Sequence, residues 1–175
     1  MPIQVRDPEN DISASGTWSS TAGDRWLLVY DFPDSSSDFL LHGTTAGNIV
    51  FGYDPFTIPS TATDITLRLK YYDQDATNGQ NNMAGRLRIG SLFRNATSHN
   101  PTTTTTLQTD TWTTNPVTSA AWTPAQINGT DGTNPLNGFG LISTDANPQI
   151  RIYSIQLEVE YTVPATGRSF GFIIG

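Results

Sequence analysis

Cysteine is absent from this sequence of 175 residues, lysine occurs once, at Lys70, and charged residues make up only 14% of the chain. Without cysteine, disulfide bonds and thiolate metal sites are excluded. Soluble domains average about 25% charged residues, so the polar surface must come mainly from Thr, Ser, Asn, Gln and Gly. The formal net charge is −7, and phosphate groups need a basic surface, so no nucleic-acid partner is expected.

Long hydrophobic runs and helical patterns are missing as well. No stretch approaches the roughly 20 apolar residues that cross a bilayer, so no membrane partner is expected. Apolar residues do not recur at helical spacing without interruption by Gly, Pro or β-branched residues. The apolar segments are instead rich in Thr, Val, Ile and aromatic residues, which strands prefer. The sequence therefore predicts an all-β domain.

The clearest strands are residues 64–72 and 149–162. In the first, polar residues alternate strictly with apolar residues, which are Ile65, Leu67, Leu69 and Tyr71. In the second, the alternation changes parity at Ile152 and Tyr153, which predicts a β-bulge there. Shorter strands are predicted at residues 26–32, 48–53, 86–93, 107–113, 117–122 and 137–143. We expect 64–72 and 86–93 to form a long hairpin, and the whole pattern favours an antiparallel β-sandwich or jelly roll.

Three parts are predicted along the chain. Residues 1–15 are an extended N-terminal arm, residues 16–162 are the jelly-roll β-sandwich domain, and residues 163–175 are a C-terminal apolar tail. Polar arms of this kind become ordered on a partner, whereas the tail either docks on a partner or folds back on its own sandwich. The residues expected to bind a partner are Pro2, Ile3, Val5, Phe170, Phe172, Ile173 and Ile174.

Catalytic patterns are not recognisable in this sequence. The two histidines, His42 and His99, lie outside any nucleophile-elbow context and are interpreted as turn or surface residues. Glu158 and Glu160 share one strand face, as a glycosidase pair could, but such a pair is more typical of a solvated edge or an interface. We therefore expect no catalytic residues, no cofactor, no metal and no enzymatic activity.

Two binding chemistries remain open alternatives. Residues 73–79 loosely resemble a calcium loop, but the glycine is one residue late and no bidentate Glu follows at the right spacing, which favours a polar hairpin loop. A sugar-stacking platform could be built from the tryptophans, although aromatic residues dominate the cores of small sandwiches. These tryptophans are Trp18, Trp26, Trp112 and Trp122.

A further pattern concerns the order of these elements along the chain. It consists of Trp18 after Ser-Gly-Thr, an acidic strand and turn at 30–38, the strand Ile-Thr-Leu-Arg-Leu-Lys-Tyr at 65–71, a Trp-Thr segment before 124–127, and the last strand at 150–162. With these features the chain resembles, over about residues 16–162, small jelly-roll structural proteins of tailed bacteriophages.

That resemblance implies a virion structural protein, above all a capsid decoration (cement) protein. Such a protein lies on the capsid surface of the virion, where it binds and stabilises the shell of the major capsid protein. The resemblance further implies self-association as a homotrimer and assigns no site residues. The alternative is a carbohydrate-binding or adhesive module of a phage tail or head fibre, with a glycan as the partner.

Overall fold

The structure is a computed structural model that describes residues 1–16, 18–19, 25–29, 32, 39–43, 45–75, 82–144 and 149–165. Within these residues the strands are, in chain order, β1 Ile3–Arg6, β2 Asn10–Ser15, β3 Trp18–Ser19, β4 Leu40–His42, β5 Gly47–Gly52, β6 Thr63–Asp75, β7 Met83–Ile89, β8 Leu92–Asn95, β9 Thr106–Trp112, β10 Leu136–Ser143 and β11 Ile150–Thr162. A 3₁₀ helix spans Arg25–Leu28, and the α-helix α1 spans Pro124–Ile127. Neither described helix is long or apolar enough to cross a membrane.

The strands form two antiparallel sheets that pack face to face. The first sheet has the order β3-β4-β11-β6-β9, with β1 also paired to β11. The second sheet has the order β2-β5-β10-β7-β8. The core is built from the inward-facing apolar residues of both sheets. This architecture confirms the predicted all-β antiparallel sandwich.

The two strands with the clearest sequence pattern form the centre of the first sheet. The apolar positions of β6, from Ile65 to Tyr71, are all buried, as their alternation predicts. In β11 the pairing register with β6 shifts between Ile152 and Ser154, which confirms the predicted β-bulge. The bulge turns Ile155 inward after Ile152, so both halves of β11 contribute to one core.

Two predicted strands are wrong. The apolar run at 26–32 begins in the 3₁₀ helix instead, and the segment 117–122 forms turns with a single bridge between Thr114 and Ala121. The helix α1 begins just after it, at Pro124. The Thr123 hydroxyl and the Gln126 side chain form a capping box there, which satisfies backbone groups at the start of α1.

The predicted hairpin between residues 64–72 and 86–93 is also wrong. The strand β6 pairs with β11 and β9, whereas β7 pairs with β10 and β8 in the opposite sheet. The predicted strand 86–93 itself breaks at Gly90, whose φ of +58° allows the chain to reverse into β8. Alternation alone gives the face of a strand, not its partner.

The N-terminal segment differs from the predicted extended arm. Residue Ile3 lies opposite Glu160 in β11, so β1 belongs to the first sheet, while β2 pairs with β5 in the second. The Gln4 side chain also donates to the carbonyl of Thr57 and accepts from its N–H, both at 3.2 Å. The first 15 residues therefore connect the two sheets of the sandwich. The tail is described only to residue 165.

Candidate functional site

A cleft of about 510 Å³ lies where the chain crosses from β1 in the first sheet to β2 in the second. One wall is the crossing segment, a second is the 3₁₀ helix, and a third is the loop after β5. The lining residues are Val5, Arg6, Asp7, Pro8, Glu9, Trp26 and Asp54. The cleft therefore combines one large aromatic ring with three carboxyl groups, in a concave site of the size that binds small ligands.

The Trp26 ring is positioned by a carboxylate on the neighbouring sheet. Asp11 of β2 accepts hydrogen bonds from the backbone N–H groups of Trp26 (3.2 Å) and Arg25 (3.4 Å), and it forms an ion pair with the Arg25 guanidinium at 3.1 Å. At the other end of the helix, the Val29 carbonyl accepts from the Ile155 N–H at 3.0 Å. The half-buried Trp26 packs against the core on one side and lines the cleft on the other.

The opposite wall is held by Arg6. Its Nε donates to the Asp54 carbonyl at 2.9 Å and its Nη2 to the Pro55 carbonyl at 3.1 Å. The guanidinium also lies over the Phe56 ring, 5.0 Å from its centroid. These contacts fix β1 against the loop after β5, so the guanidinium stabilises the shape of the cleft.

Two of the three carboxyl groups in the cleft, those of Glu9 and Asp54, lie near each other. The Glu9 N–H donates to the Gly52 carbonyl at 2.9 Å, which brings its side chain to Asp54. Partial desolvation, together with the neighbouring Asp54, raises the pKa of Glu9. Asp7 accepts a hydrogen bond from the Gln156 amide at 3.1 Å. The cleft therefore offers several oxygen acceptors beside an aromatic face, a set that suits a polyhydroxylated ligand.

The four-tryptophan platform is not present. Trp18, Trp112 and Trp122 are 5%, 7% and 5% exposed, respectively, and belong to the core. The indole N–H of Trp122 is satisfied inside the protein, because it donates to the Trp112 carbonyl at 3.2 Å. Only Trp26 of the four contributes to the cleft.

The two same-face glutamates lie in an ion-pair network on the outer face of the first sheet. Glu158 contacts the Lys70 Nζ at 2.6 Å and the Arg68 Nη1 at 3.2 Å, and Arg68 also pairs with Glu160. This agrees with the interpretation of the pair as a feature of a strand face. Both carboxylates are paired with cations of β6, so the pair forms part of a charge network across two neighbouring strands.

Both histidines differ from the turn or surface positions expected for them. His42 is fully buried on β4, with its ring 4.4 Å from the Trp18 ring. Burial lowers the pKa of His42 to about 4, and a backbone hydrogen bond at Thr45 opposes that shift. His99 is partly buried and contacts Asp73 at 2.6 Å.

The His99 contact belongs to a polar network between the sheets that the sequence did not reveal. Tyr71 donates to Asp110 at 3.0 Å and lies 3.5 Å from the His99 ring, and the Gly85 N–H donates to Asp110 at 2.7 Å. Burial raises the pKa of Asp110, against the effect of the Gly85 and Tyr71 hydrogen bonds. The network joins β6 and β9 to β7, so its role in the fold is to connect the layers.

One sequence signal could have identified this network. The buried parity of β6 continues beyond Tyr71 to Asp73 and Asp75, which are 0% and 1% exposed. Both residues belong to a strand, whereas the sequence placed them in a polar or calcium-binding loop, of which residues 76–79 lie outside the described part. Within the described residues no group of three or more potential ligands could hold a metal ion.

The residues expected to bind a partner divide into two groups. Ile3 and Val5 are 53% and 42% exposed on β1, and Pro2 is exposed beside them. Their partner contacts stay a prediction. The remaining candidates lie outside the described residues, and they are Phe170, Phe172, Ile173 and Ile174.

Comparison with known proteins finds likenesses in structure alone, because no family model and no curated protein matches the sequence. One similar structure is a family 35 carbohydrate-binding module (CBM35) of Abf62 from Cellvibrio japonicus, with 16% identity, a TM-score of 0.46, and coverage of 95% of this chain and 100% of that one. Another is the CBM22-1 xylan-binding domain of Xyn10C from Paenibacillus barcinonensis, with 10% identity, a TM-score of 0.48, and coverage of 87% and 96%. A third, Xyl-CBM35 in complex with a glucuronic acid containing disaccharide, has 15% identity, a TM-score of 0.42, and coverage of 94% and 99%.

The prediction of a phage capsid decoration protein is therefore wrong. The similar structures are carbohydrate-binding modules and not capsid proteins, and no sequence family connects the chain to a virion. The features behind that resemblance are two alternating strands, a strand and turn at 30–38 and two short segments that contain tryptophan, which many antiparallel sandwiches of unrelated function can share. The major capsid partner and the homotrimer were inferred from that resemblance, and they lose their basis with it.

Proposed function

We propose that this chain is a non-catalytic carbohydrate-binding module that binds a sugar residue in the Trp26 cleft. The observation that carries the proposal is the placement of the Trp26 ring in one concave site with the carboxyl groups of Asp7, Glu9 and Asp54. A flat indole packs against the C–H face of a pyranose ring. Carboxylate oxygens accept hydrogen bonds from the sugar hydroxyls, and these two contacts together select a carbohydrate over a purely apolar ligand.

The test is a binding panel of soluble neutral polysaccharides, with the Trp26→Ala variant compared with the wild type by affinity electrophoresis and calorimetry. Loss of a central aromatic contact typically costs 2 kcal/mol or more, so we expect affinity to fall by about thirtyfold. Leu27→Ala is the matched control, because Leu27 is 41% exposed on the same 3₁₀ helix. Equal affinities for wild type and Trp26→Ala, or no binding by the wild type, would refute the proposal.

A further inference from the structure

The carboxyl groups of the Trp26 cleft have no counter-ion among the described residues. Three residues of the lining are acidic, and none of the ion pairs in the described part of the chain includes Asp7, Glu9 or Asp54. The Asp7 carboxylate accepts a hydrogen bond from Gln156 at 3.1 Å, and that amide is neutral. Glu9 and Asp54 are exposed, so a ligand in the cleft can reach both carboxyl groups.

The two arginines beside the cleft are engaged elsewhere. Arg6 belongs to the lining, but its guanidinium donates to the backbone carbonyls of Asp54 at 2.9 Å and Pro55 at 3.1 Å. Arg25, on the 3₁₀ helix that forms another wall, is paired with Asp11 at 3.1 Å. Three carboxylates and one guanidinium give the lining a formal charge of −2. The cleft is therefore negative, in a chain whose formal net charge is −7.

Two of these carboxyl groups repel each other. The Glu9 N–H donates to the Gly52 carbonyl at 2.9 Å, which places the Glu9 side chain near Asp54. Partial desolvation and the Asp54 charge raise the pKa of Glu9, although the Arg6 charge and a backbone hydrogen bond at Asp54 oppose the shift. The ionised pair is therefore unfavourable in the protein alone. A cation that contacts both carboxylates relieves this repulsion, whereas a neutral hydroxyl group does not.

We propose that the cleft prefers an amino sugar, whose ammonium group contacts Glu9 and Asp54 while its pyranose ring packs against Trp26. An ammonium group has three donors, so it can bind two carboxylates at once. Charge-assisted hydrogen bonds are roughly twice as strong as neutral ones, and the indole face also attracts a cation. The choice of a sugar rests on the proposed function through Trp26, whereas the choice of a cation rests on Glu9 and Asp54.

The test is calorimetry on the full chain with the tetramer of glucosamine and with cellotetraose, which has the same linkage and a hydroxyl group in place of each amine. At a pH where the amines are protonated and the carboxyl groups ionised, we expect the wild type to prefer the glucosamine tetramer about tenfold. E9Q and D54N should each reduce this preference to about threefold, and E9Q/D54N should abolish it. D64N is the matched control, because Asp64 is an exposed acid on β6 outside the cleft, and it should keep the preference of the wild type. Trp26→Ala should weaken the binding of both tetramers.

The outcomes separate this inference from the proposed function. Trp26-dependent binding of cellotetraose without a preference for the glucosamine tetramer would overturn the inference and leave the proposed function intact. A preference that E9Q/D54N abolishes, in a protein whose binding Trp26→Ala does not change, would overturn both.

Two further results would also contradict the amino-sugar preference. An equal loss of preference in D64N and E9Q would trace it to net charge, and equally tight binding of a tetralysine peptide would make the ligand a basic peptide. If D54N fails to fold, the comparison of E9Q with D64N gives the same decision, because each removes one negative charge at an exposed position.

Discussion

His42 makes the stability of this sandwich depend on pH in a range where few side chains titrate. The residue is fully buried on β4 beside Trp18, and burial lowers its pKa from 6.5 to about 4. Below pH 6.5 the unfolded chain takes up a proton at this histidine, whereas the native state stays neutral down to about pH 4. The stabilisation is therefore complete above pH 6.5 and is lost as the pH falls toward 4.

The size of the effect follows from the difference in pKa. Each pKa unit corresponds to 1.36 kcal/mol, so the whole transition is worth roughly 3 kcal/mol. Between pH 7 and pH 5 the free energy of unfolding should fall by about 2 kcal/mol through His42 alone. Because domains of this kind are stable by only about 5–15 kcal/mol, this loss is large enough to measure.

The assay is urea unfolding of the wild type and His42→Gln at several pH values from 7 to 5. The difference in the free energy of unfolding between the two proteins gives the contribution of His42 at each pH. Carboxyl groups with raised pKa values, such as those of Asp110 and Glu9, contribute equally to the pH dependence of both proteins. We expect the wild type to lose stability toward pH 5 more steeply than the variant. Parallel pH profiles for the wild type and His42→Gln would refute the reasoning.

Two further predictions concern packing between the sheets. Leu69→Ala should lower the free energy of unfolding by about 2–5 kcal/mol, because Leu69 is fully buried in β6, whereas Leu107→Ala at a position 44% exposed should change it by less than about 0.5 kcal/mol in the same denaturant titration. Gly85→Ala places a Cβ against the Asp110 carboxylate and should destabilise by about 1–3 kcal/mol in thermal unfolding. Gly132→Ala, where nothing lies within 4 Å, is the control, and equal effects at the two glycines would contradict the assignment.

The parts of the fold that could be predicted are those in which one strand carries its own pattern. The alternation from Ile65 to Tyr71 and the parity change at Ile152 are local features, and the structure confirms both. Residues 26–32 could not be predicted in this way. Their apolar run suits a strand, but the Asp11 carboxylate, 15 residues earlier than Trp26, binds the backbone at the start of a 3₁₀ helix. A long-range contact overrides local preference there.

The candidate site was missed for a related reason. Glu9, Trp26 and Asp54 are separated in sequence and meet only because the chain crosses between the sheets at residues 7–9. No spacing rule connects them. Trp26 was named as one of four sugar-stacking residues, but the sequence could not separate it from the buried Trp18, since both tryptophans lie near strands and polar residues.

The integration of the N-terminal segment also determines how its exposed residues can be studied. Because β1 and β2 belong to different sheets and Arg6 holds one wall of the cleft, deletion of residues 1–12 would remove pairing from both sheets and the cleft with it. Loss of any binding in such a truncation would say nothing about Ile3 or Val5. The Ile3 side chain projects from an edge strand whose backbone pairs with β11, so a polar substitution at Ile3 leaves the sheet and the cleft in place, whereas Val5 lines the cleft. A point substitution at Ile3 therefore separates a partner surface on β1 from the sugar cleft beside it, which a deletion cannot do.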